Sequence, residues 1–348
     1  MSTKINTNFW KNKKVFVTGH TGFKGSWLVL FLKFFDANIL GISSEKKEGV
    51  YELTNLSSVV DSEEFIDLAE DSTSIENLVA SFSPDIIFHF AAQSLVIEGY
   101  KDPLKTVKSN IVAPVNLINA INKTNENATL VIATTDKVYK NPSKDNCETS
   151  ELGGVDFYSN SKVSKELLID AFINHPDFSK LNINKVRSGN VIGGGERGEN
   201  RLFTDLIQSF NNNLPIEIRN PKHIRPWQYI LDSLYGYLLI AKNSYENNTS
   251  EVFNLNSEIN NHYEVRQITE LFKNFSEHDK EIVFNDVSSY KEVDILKINS
   301  SKAENDLKWK AKVEIPQIIE LIIKWEEHHK KNQNPNYSFN EIESYLNI

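Results

Sequence analysis

An α/β fold, with a doubly wound parallel sheet and a smaller C-terminal lobe, is predicted by three observations on this 348-residue chain. Strand-like and helix-like patterns alternate through the first half, and such alternation builds a parallel sheet covered on both faces. Short continuous apolar runs, Ile86-Ile87-Phe88 and Leu130-Val131-Ile132, suit strands buried on both sides. Gly19, Gly22 and Gly25 fall three residues apart where the first strand pattern gives way to an apolar helix pattern.

The elements follow in order. The first strand pattern covers 13–17, and the run Val17-Thr-Gly-His-Thr-Gly-Phe-Lys-Gly-Ser-Trp-Leu28 turns it into a helix over 22–35. Side chains at the turn would keep a phosphate away from the backbone. The helix start offers free N–H groups and a positive dipole end, so the segment predicts a dinucleotide pyrophosphate cradle formed by Gly19, Thr21, Gly22, Phe23, Lys24 and Gly25. This makes the sheet Rossmann-type. The second strand, 38–42, leads into Ser43, Ser44 and Glu45, without an arginine for a 2′-phosphate, which favours NAD over NADP. Strand patterns at 63–67, 85–90 and 128–133 alternate with helix patterns at 72–82, 104–123 and 157–174. Ligands collect beyond the carboxyl ends of parallel strands. Asp67 with Leu68, then Ala91-Ala92-Gln93, then Thr134-Thr135-Asp136-Lys137 all follow strands directly.

After residue 187 the pattern loosens. A glycine-rich loop spans 188–198, helices are predicted at 201–212, 263–273 and 314–330, and 251–256 reads as a strand returning to the sheet. The expected organisation is an NAD-binding domain over 1–187 with a returning segment near 229–258. A substrate-binding lobe covers 188–228 and 259–335, and a tail, a loose helix or partly disordered, covers 336–348.

The net charge of −9 argues against nucleic acid as a partner, because phosphate backbones need a basic face. One cysteine, Cys147, permits no intrachain disulfide and suits a reducing compartment. No run of membrane-spanning length and no leader-like start at Met1–Asn6 is present, so a cytoplasmic location is expected. No cluster has metal-ligand spacing, and His20 and His89 read as structural. Trp227 reads as core, and His328-His329 as a solvated helix end.

Tyr158-Ser-Asn-Ser-Lys162 opens the helix at 157–174 and places phenol and ammonium on one face. A nearby cation stabilises phenolate and turns a poor base into a working one. Thr135 is positioned to hydrogen-bond a reacting hydroxyl. Asp136 and Lys137 add an acid and a potential base beside it, which implies a second proton transfer beyond simple oxidation.

The glycine spacing resembles that of extended short-chain dehydrogenases/reductases. With it, Ala91-Ala-Gln93, Thr134-Thr-Asp-Lys137, Tyr158-Ser-Asn-Ser-Lys162, Gly189-Asn-Val-Ile-Gly-Gly-Gly195, Ile218-Arg-Asn-Pro221, Arg225-Pro-Trp-Gln228 and Ile298-Asn-Ser-Ser-Lys-Ala303 resemble the nucleotide-sugar 4,6-dehydratases over nearly the whole chain. Asp136-Lys137 matches the CDP-glucose branch, where most others carry Asp-Glu. The resemblance implies C4 oxidation by Tyr158 and NAD, C5 deprotonation by a neutral, buried Lys137, and protonation of the leaving 6-hydroxyl by Asp136. Hydride then returns to C6. It also implies that Asp67 meets the adenine, that Ser94, Asn190 and Tyr229 line the substrate pocket, and that Arg201 and Arg225 hold the diphosphate. A homodimer, or a higher assembly, through the helices at 104–123 and 157–174 is implied too, with Leu117, Ile118, Leu167, Leu168 and Phe172 available. Departures stand around the substrate: Ser94 for a proline, Ile97 for an arginine, Glu196-Arg197 for Asp-Trp and Tyr229 for a histidine. These keep another nucleotide-hexose open as substrate. An epimerase or 4-ketoreductase, against which Asp136-Lys137 counts, and a non-catalytic dinucleotide-binding module are the remaining alternatives.

Overall fold

The structure is a computed structural model and describes residues 7–124, 127–260, 263–285 and 293–348. The start at Met1–Asn6, on which the absence of a leader was read, lies outside the described residues. Eleven strands are described: β1 Lys14–Thr18, β2 Asn38–Ser43, β3 Ser62–Phe65, β4 Ile86–His89, β5 Thr129–Ala133, β6 Asn182–Ser188, β7 Asn190–Ile192, β8 Ile216–Arg219, β9 Trp227–Tyr229, β10 Val252–Leu255 and β11 Ile282–Asn285. Seven form the main sheet in the order β10-β6-β5-β4-β1-β2-β3. Every pairing in it is parallel. The apolar runs sit at its centre: Ile86, Ile87 and Phe88 are fully buried.

Strand order reverses between β1 and β4, and at such a switch point a crevice opens at the carboxyl ends. Gly19, in the left-handed region at φ +74°, makes the turn there. A Cβ on it would stand 2.6 Å from the Ala91 nitrogen. Gly25 is required by close approach, since its Cβ would meet the Gly19 carbonyl oxygen at 2.1 Å. Helix Phe23–Phe34 follows with Gly22 at its N-cap and no side chain capping it, so its first N–H groups face the crevice.

The second half supplies two short parallel pairs, β7 with β9 and β8 with β11, and the strand β10 returns to the main sheet beside β6. Four features differ from expectation. The span 103–124 is not one helix. Pro103–Val107 and Ala113–Thr124 flank a wide π turn at Lys108–Val112. Pro114 has no N–H for the regular bond four residues back, and the turn widens just before it. Helix Ile230–Asn247 has no counterpart in the sequence reading. It lies against β5 and β6 with residues Ile230–Ala241 all buried, so it shows no polar stripe to announce it. The tail is a helix, as one of the two expectations had it, but a packed rather than a loose one: Asn336–Leu346 buries Ile342 and Tyr345. That helix also explains the fourth difference. It covers the end of helix Ile315–His329, so His329 is buried and stacked on Trp325 at 3.8 Å rather than solvated.

Candidate active site

Asp156 and Ser159 form a reciprocal capping box that fixes where helix Phe157–Ile173 begins. Ser159 N donates to Asp156 Oδ1 at 2.9 Å, and Asp156 N donates to Ser159 Oγ at 3.0 Å. Tyr158 therefore enters in the first turn, with Lys162 one turn on and its Nζ 5.6 Å from the phenol ring centre. β5 delivers the facing residues. Thr135 is extended, caps the short turn Asp136–Val138, and donates from Oγ1 to Asp136 Oδ1 at 3.0 Å. Lys137 Nζ stands 3.9 Å from the same carboxylate oxygen.

Electrostatics refine the expected roles. Burial pushes Tyr158 up to about 12, against which a hydrogen bond with Thr135 and the charge of Arg201 act. Burial first, then the neighbouring Lys165, hold Lys162 well below its ordinary value. Lys165 is itself held at about 8 by burial. It donates to the Ala133 carbonyl at 2.7 Å. Lys137 departs from expectation. Its side chain is 28% exposed rather than buried. It lines a pocket with Val96, Val155, Arg225 and Leu296.

The glycine cradle fits a dinucleotide: the Gly19 and Gly25 contacts leave no room for side chains, and the helix N-terminus is uncapped. Thr21 braces it, Oγ1 donating to the Glu45 carbonyl at 2.9 Å and the backbone N to Ser43 Oγ at 3.2 Å. Phe23 and Lys24 open the helix. Burial and the nearby Arg201 bring Lys24 down to about 8, and Asp136 and Glu196 pull the other way. Asp67 is exposed at the end of β3 and caps Ala69 N at 2.8 Å, while Leu68 packs inward. Ala91 and Ala92 follow β4. Gln93 turns away from the cradle to donate to Thr106 at 2.9 Å.

Of the substrate candidates, Arg201 and Ser94 come together, Arg201 Nη2 lying 3.3 Å from both Ser94 oxygens. Arg225 lines the pocket, with Nη1 donating to the Asp294 carbonyl at 2.9 Å. Asn190 opens β7 beside Trp227. Tyr229 is not brought to the site. It is 1% exposed and its hydroxyl donates to Glu341 of the C-terminal helix, which packs over it. Trp227 is core, 3% exposed. His20 and His89 are buried and bonded to Ser43 with Glu63 and to Thr18 respectively.

Sequence reasoning missed Asn110, Lys165 and the Glu166–Arg187 pair. Asn110 sits in the π turn, accepts from Gln93 N at 3.0 Å and donates to Ser161 Oγ at 2.9 Å, tying the loop after β4 to the Tyr158 helix. Pro114, four residues on, was the available signal. Among the described residues no helix is long and apolar enough to cross a membrane, and no cluster of His, Cys, Asp or Glu is placed to hold a metal.

A family profile described as GDP-mannose 4,6 dehydratase matches residues 16–322. The chain belongs to this family of nucleotide-sugar dehydratases. It is 34% identical over 333 residues to a CDP-glucose 4,6-dehydratase of Salmonella typhimurium, covering 92% of each chain. It is 25% identical over 265 residues to a UDP-glucose 4-epimerase of Mycoplasma genitalium, covering 71% of this chain and 77% of the other. Among solved structures, the Thermotoga maritima UDP-glucose 4-epimerase with UDP-glucose superposes at TM-score 0.79, with 21% identity, over 89% of this chain and 97% of that one. The chain thus shares its fold with epimerases.

Proposed function

We propose that this enzyme removes water from CDP-glucose to give the 4-keto-6-deoxy sugar nucleotide, with NAD retained between turnovers. The observation that carries this is the buried Asp136 with Lys137 beside Thr135 and Tyr158 at the end of β5. Oxidation at C4 needs only the threonine and tyrosine. The added acid–base pair is what an elimination across C5 and C6 requires. The relative named CDP-glucose 4,6-dehydratase supports the choice of sugar nucleotide.

The residues act in sequence. Gly19, Gly22, Gly25 and the helix start hold the cofactor's phosphates. NAD, when bound, supplies a hydride acceptor for C4, a hydride donor for C6 and a positive ring that favours the Tyr158 phenolate. Tyr158 takes the 4-hydroxyl proton, assisted by Thr135. The new ketone acidifies C5–H, which Lys137 removes. Asp136 protonates the departing 6-hydroxyl, and Lys137 returns its proton to C5. Arg201 and Arg225 hold the diphosphate, since a guanidinium fork meets two phosphate oxygens at once.

A cytoplasmic homodimer, serving deoxysugar synthesis for surface polysaccharide, completes the reading. Leu104, Val107, Val112, Leu167 and Leu168 are exposed on the helices flanking the site and supply an apolar face. Leu117 and Ile118 face the sheet instead.

Incubation with CDP-, dTDP-, GDP- and UDP-glucose and GDP-mannose, followed by mass spectrometry, tests the proposal. Loss of one water from CDP-glucose is the expected result. Loss from another sugar nucleotide moves the substrate and keeps the mechanism, and unchanged mass throughout refutes it.

A further inference from the structure

Arg201 is assigned above to the substrate diphosphate, and this inference rests on that reading. The residue is the N-cap of helix Leu202–Asn212, and its carbonyl accepts from Asp205 N at 3.0 Å, which fixes where its side chain starts. The side chain reaches to the loop after β4, where Nη2 lies 3.3 Å from both the carbonyl oxygen and Oγ of Ser94. Its Nε lies 3.7 Å from Glu196 Oε1. A guanidinium carries five N–H groups in a planar fork. Ser94 and Glu196 lie along the Nε–Nη2 edge, and Nη1 has no protein partner among the described residues.

Glu196 is held from both sides. Gly195 N donates to Glu326 Oε1 at 2.9 Å. Arg197 grips the same carboxylate twice, Nη1 to Oε1 at 2.8 Å and Nη2 to Oε2 at 2.6 Å. Glu326 is buried on helix Ile315–His329, so water hardly competes for this anchor. Thr204 Oγ1 donates to the Glu196 carbonyl at 3.3 Å, and Trp27 Nε1 donates to the Gly194 carbonyl at 2.9 Å. The Glu196 side chain is 11% exposed and that of Arg201 35%. The carboxylate is therefore the fixed member of the pair, and the guanidinium is the member with freedom. Burial raises the Glu196 carboxyl, and Arg201 leads the charges that draw it back.

We propose that Glu196 is a positioning residue for the substrate: from its anchored loop, and together with Ser94, it orients Arg201 so that the free Nη1 end of the fork meets the diphosphate. An arginine without these contacts samples many rotamers, and part of the binding energy is lost in ordering it. Glu196 takes the Nε side, so the guanidinium holds carboxylate and phosphate together and neither displaces the other. The role is confined to affinity for the phosphates. Glu196 makes and breaks no bond at C4, C5 or C6.

Calorimetric titration with cytidine, CMP and CDP is the test, on enzyme loaded with NAD so that the cofactor's own phosphate cradle is filled. Wild type, Glu196→Gln, Arg201→Met and the double variant are compared. Glu196→Gln is expected to weaken CDP binding about tenfold, the scale of one charge-assisted hydrogen bond, and to leave cytidine within about twofold of wild type. The double variant should bind CDP no more weakly than Arg201→Met alone, because Glu196 acts through that side chain. In turnover, Glu196→Gln should raise KM about tenfold with kcat within about threefold, as loss of uniform binding does. Tighter CDP binding in Glu196→Gln would reveal a carboxylate that competes with the phosphates, and would overturn the proposal. Equal weakening of cytidine and CDP, or the same loss with and without Arg201, would overturn it too. Should Glu196→Gln not fold, Ser94→Ala on the exposed loop decides: CDP weakened about threefold with cytidine unchanged supports the clamp, and unchanged CDP refutes it. If wild type binds no CDP, the reading of the base has failed, which is a separate outcome. Uridine, UMP and UDP then test the same clamp, and absence of binding by either diphosphate refutes it.

Discussion

Glu166→Gln should destabilise the enzyme by about 3 kcal/mol, because it breaks an ion pair that has no access to water. Glu166 is fully buried and Arg187 is 3% exposed. Arg187 Nε lies 3.1 and 3.0 Å from the two carboxylate oxygens, and Nη2 donates at 2.5 Å. Nη1 donates to the Tyr139 hydroxyl and the Glu148 carbonyl, each at 2.9 Å. Removing one partner of a buried pair leaves an uncompensated charge at a cost of about 3–5 kcal/mol. Glutamine keeps one acceptor, so the low end applies. Unfolding entropy of about 2.1 cal/mol/K per residue, over 348 residues, gives roughly 0.7 kcal/mol/K. The melting temperature should therefore fall by about 4 °C. Calorimetry on Glu166→Gln, Arg187→Met and the double variant is the assay. The double variant should lose clearly less than the sum, since no charge is left stranded. The pair joins the Tyr158 helix to β6, so kcat should fall in both single variants. Additive losses, or single losses under about 0.5 kcal/mol, would refute the argument.

Two further predictions concern buried groups with displaced titration. Lys165 is held at about 8 against an ordinary 10.5, so the folded state binds fewer protons than the unfolded state between those values. Its contribution to stability therefore rises with pH across that window and is unfavourable at pH 7, by about 3 kcal/mol at 1.36 kcal/mol per unit. Lys165→Met, after losing the bond of roughly 1 kcal/mol to Ala133, should be more stable than wild type at pH 7 by about 2 kcal/mol. The gap should close toward pH 10 in denaturant titrations, and a less stable variant at pH 7 would refute the assignment. Glu341 is displaced in the other direction, raised by burial from 4.5 to about 8, so the folded state binds more protons and stability falls as pH rises from 4.5 to 8. Glu341→Gln should match wild type near pH 5 and exceed it by several kcal/mol at pH 8. A difference independent of pH would show that Glu341 is not the titrating group.

What the sequence reveals and what it hides follow one physical line. The sheet and the cradle are legible because their signals are local: apolar runs, glycine spacing and the residues that follow each strand. Tyr158, Lys162, Thr135 and Asp136 are legible for the same reason, lying within a helical turn or at one strand end. Helix Ile230–Asn247 escapes because a helix buried on nearly every side loses the periodicity by which helices are found. Tyr229 is misplaced because its partner, Glu341, lies 112 residues away on a helix whose polar composition hides its docking face. The downward displacement of Lys162 escapes for a related reason. It is caused by burial and by Lys165 and Lys24, the last from the glycine turn far away in the sequence. Spacing along a chain therefore identifies which groups can exchange protons. Which of them carries a proton at rest depends on desolvation and on cations gathered from distant segments. In this enzyme the two kinds of information meet at Thr135. Its place after β5 is local, and its hydroxyl donates to the Asp136 carboxylate, which the fold leaves only 2% exposed.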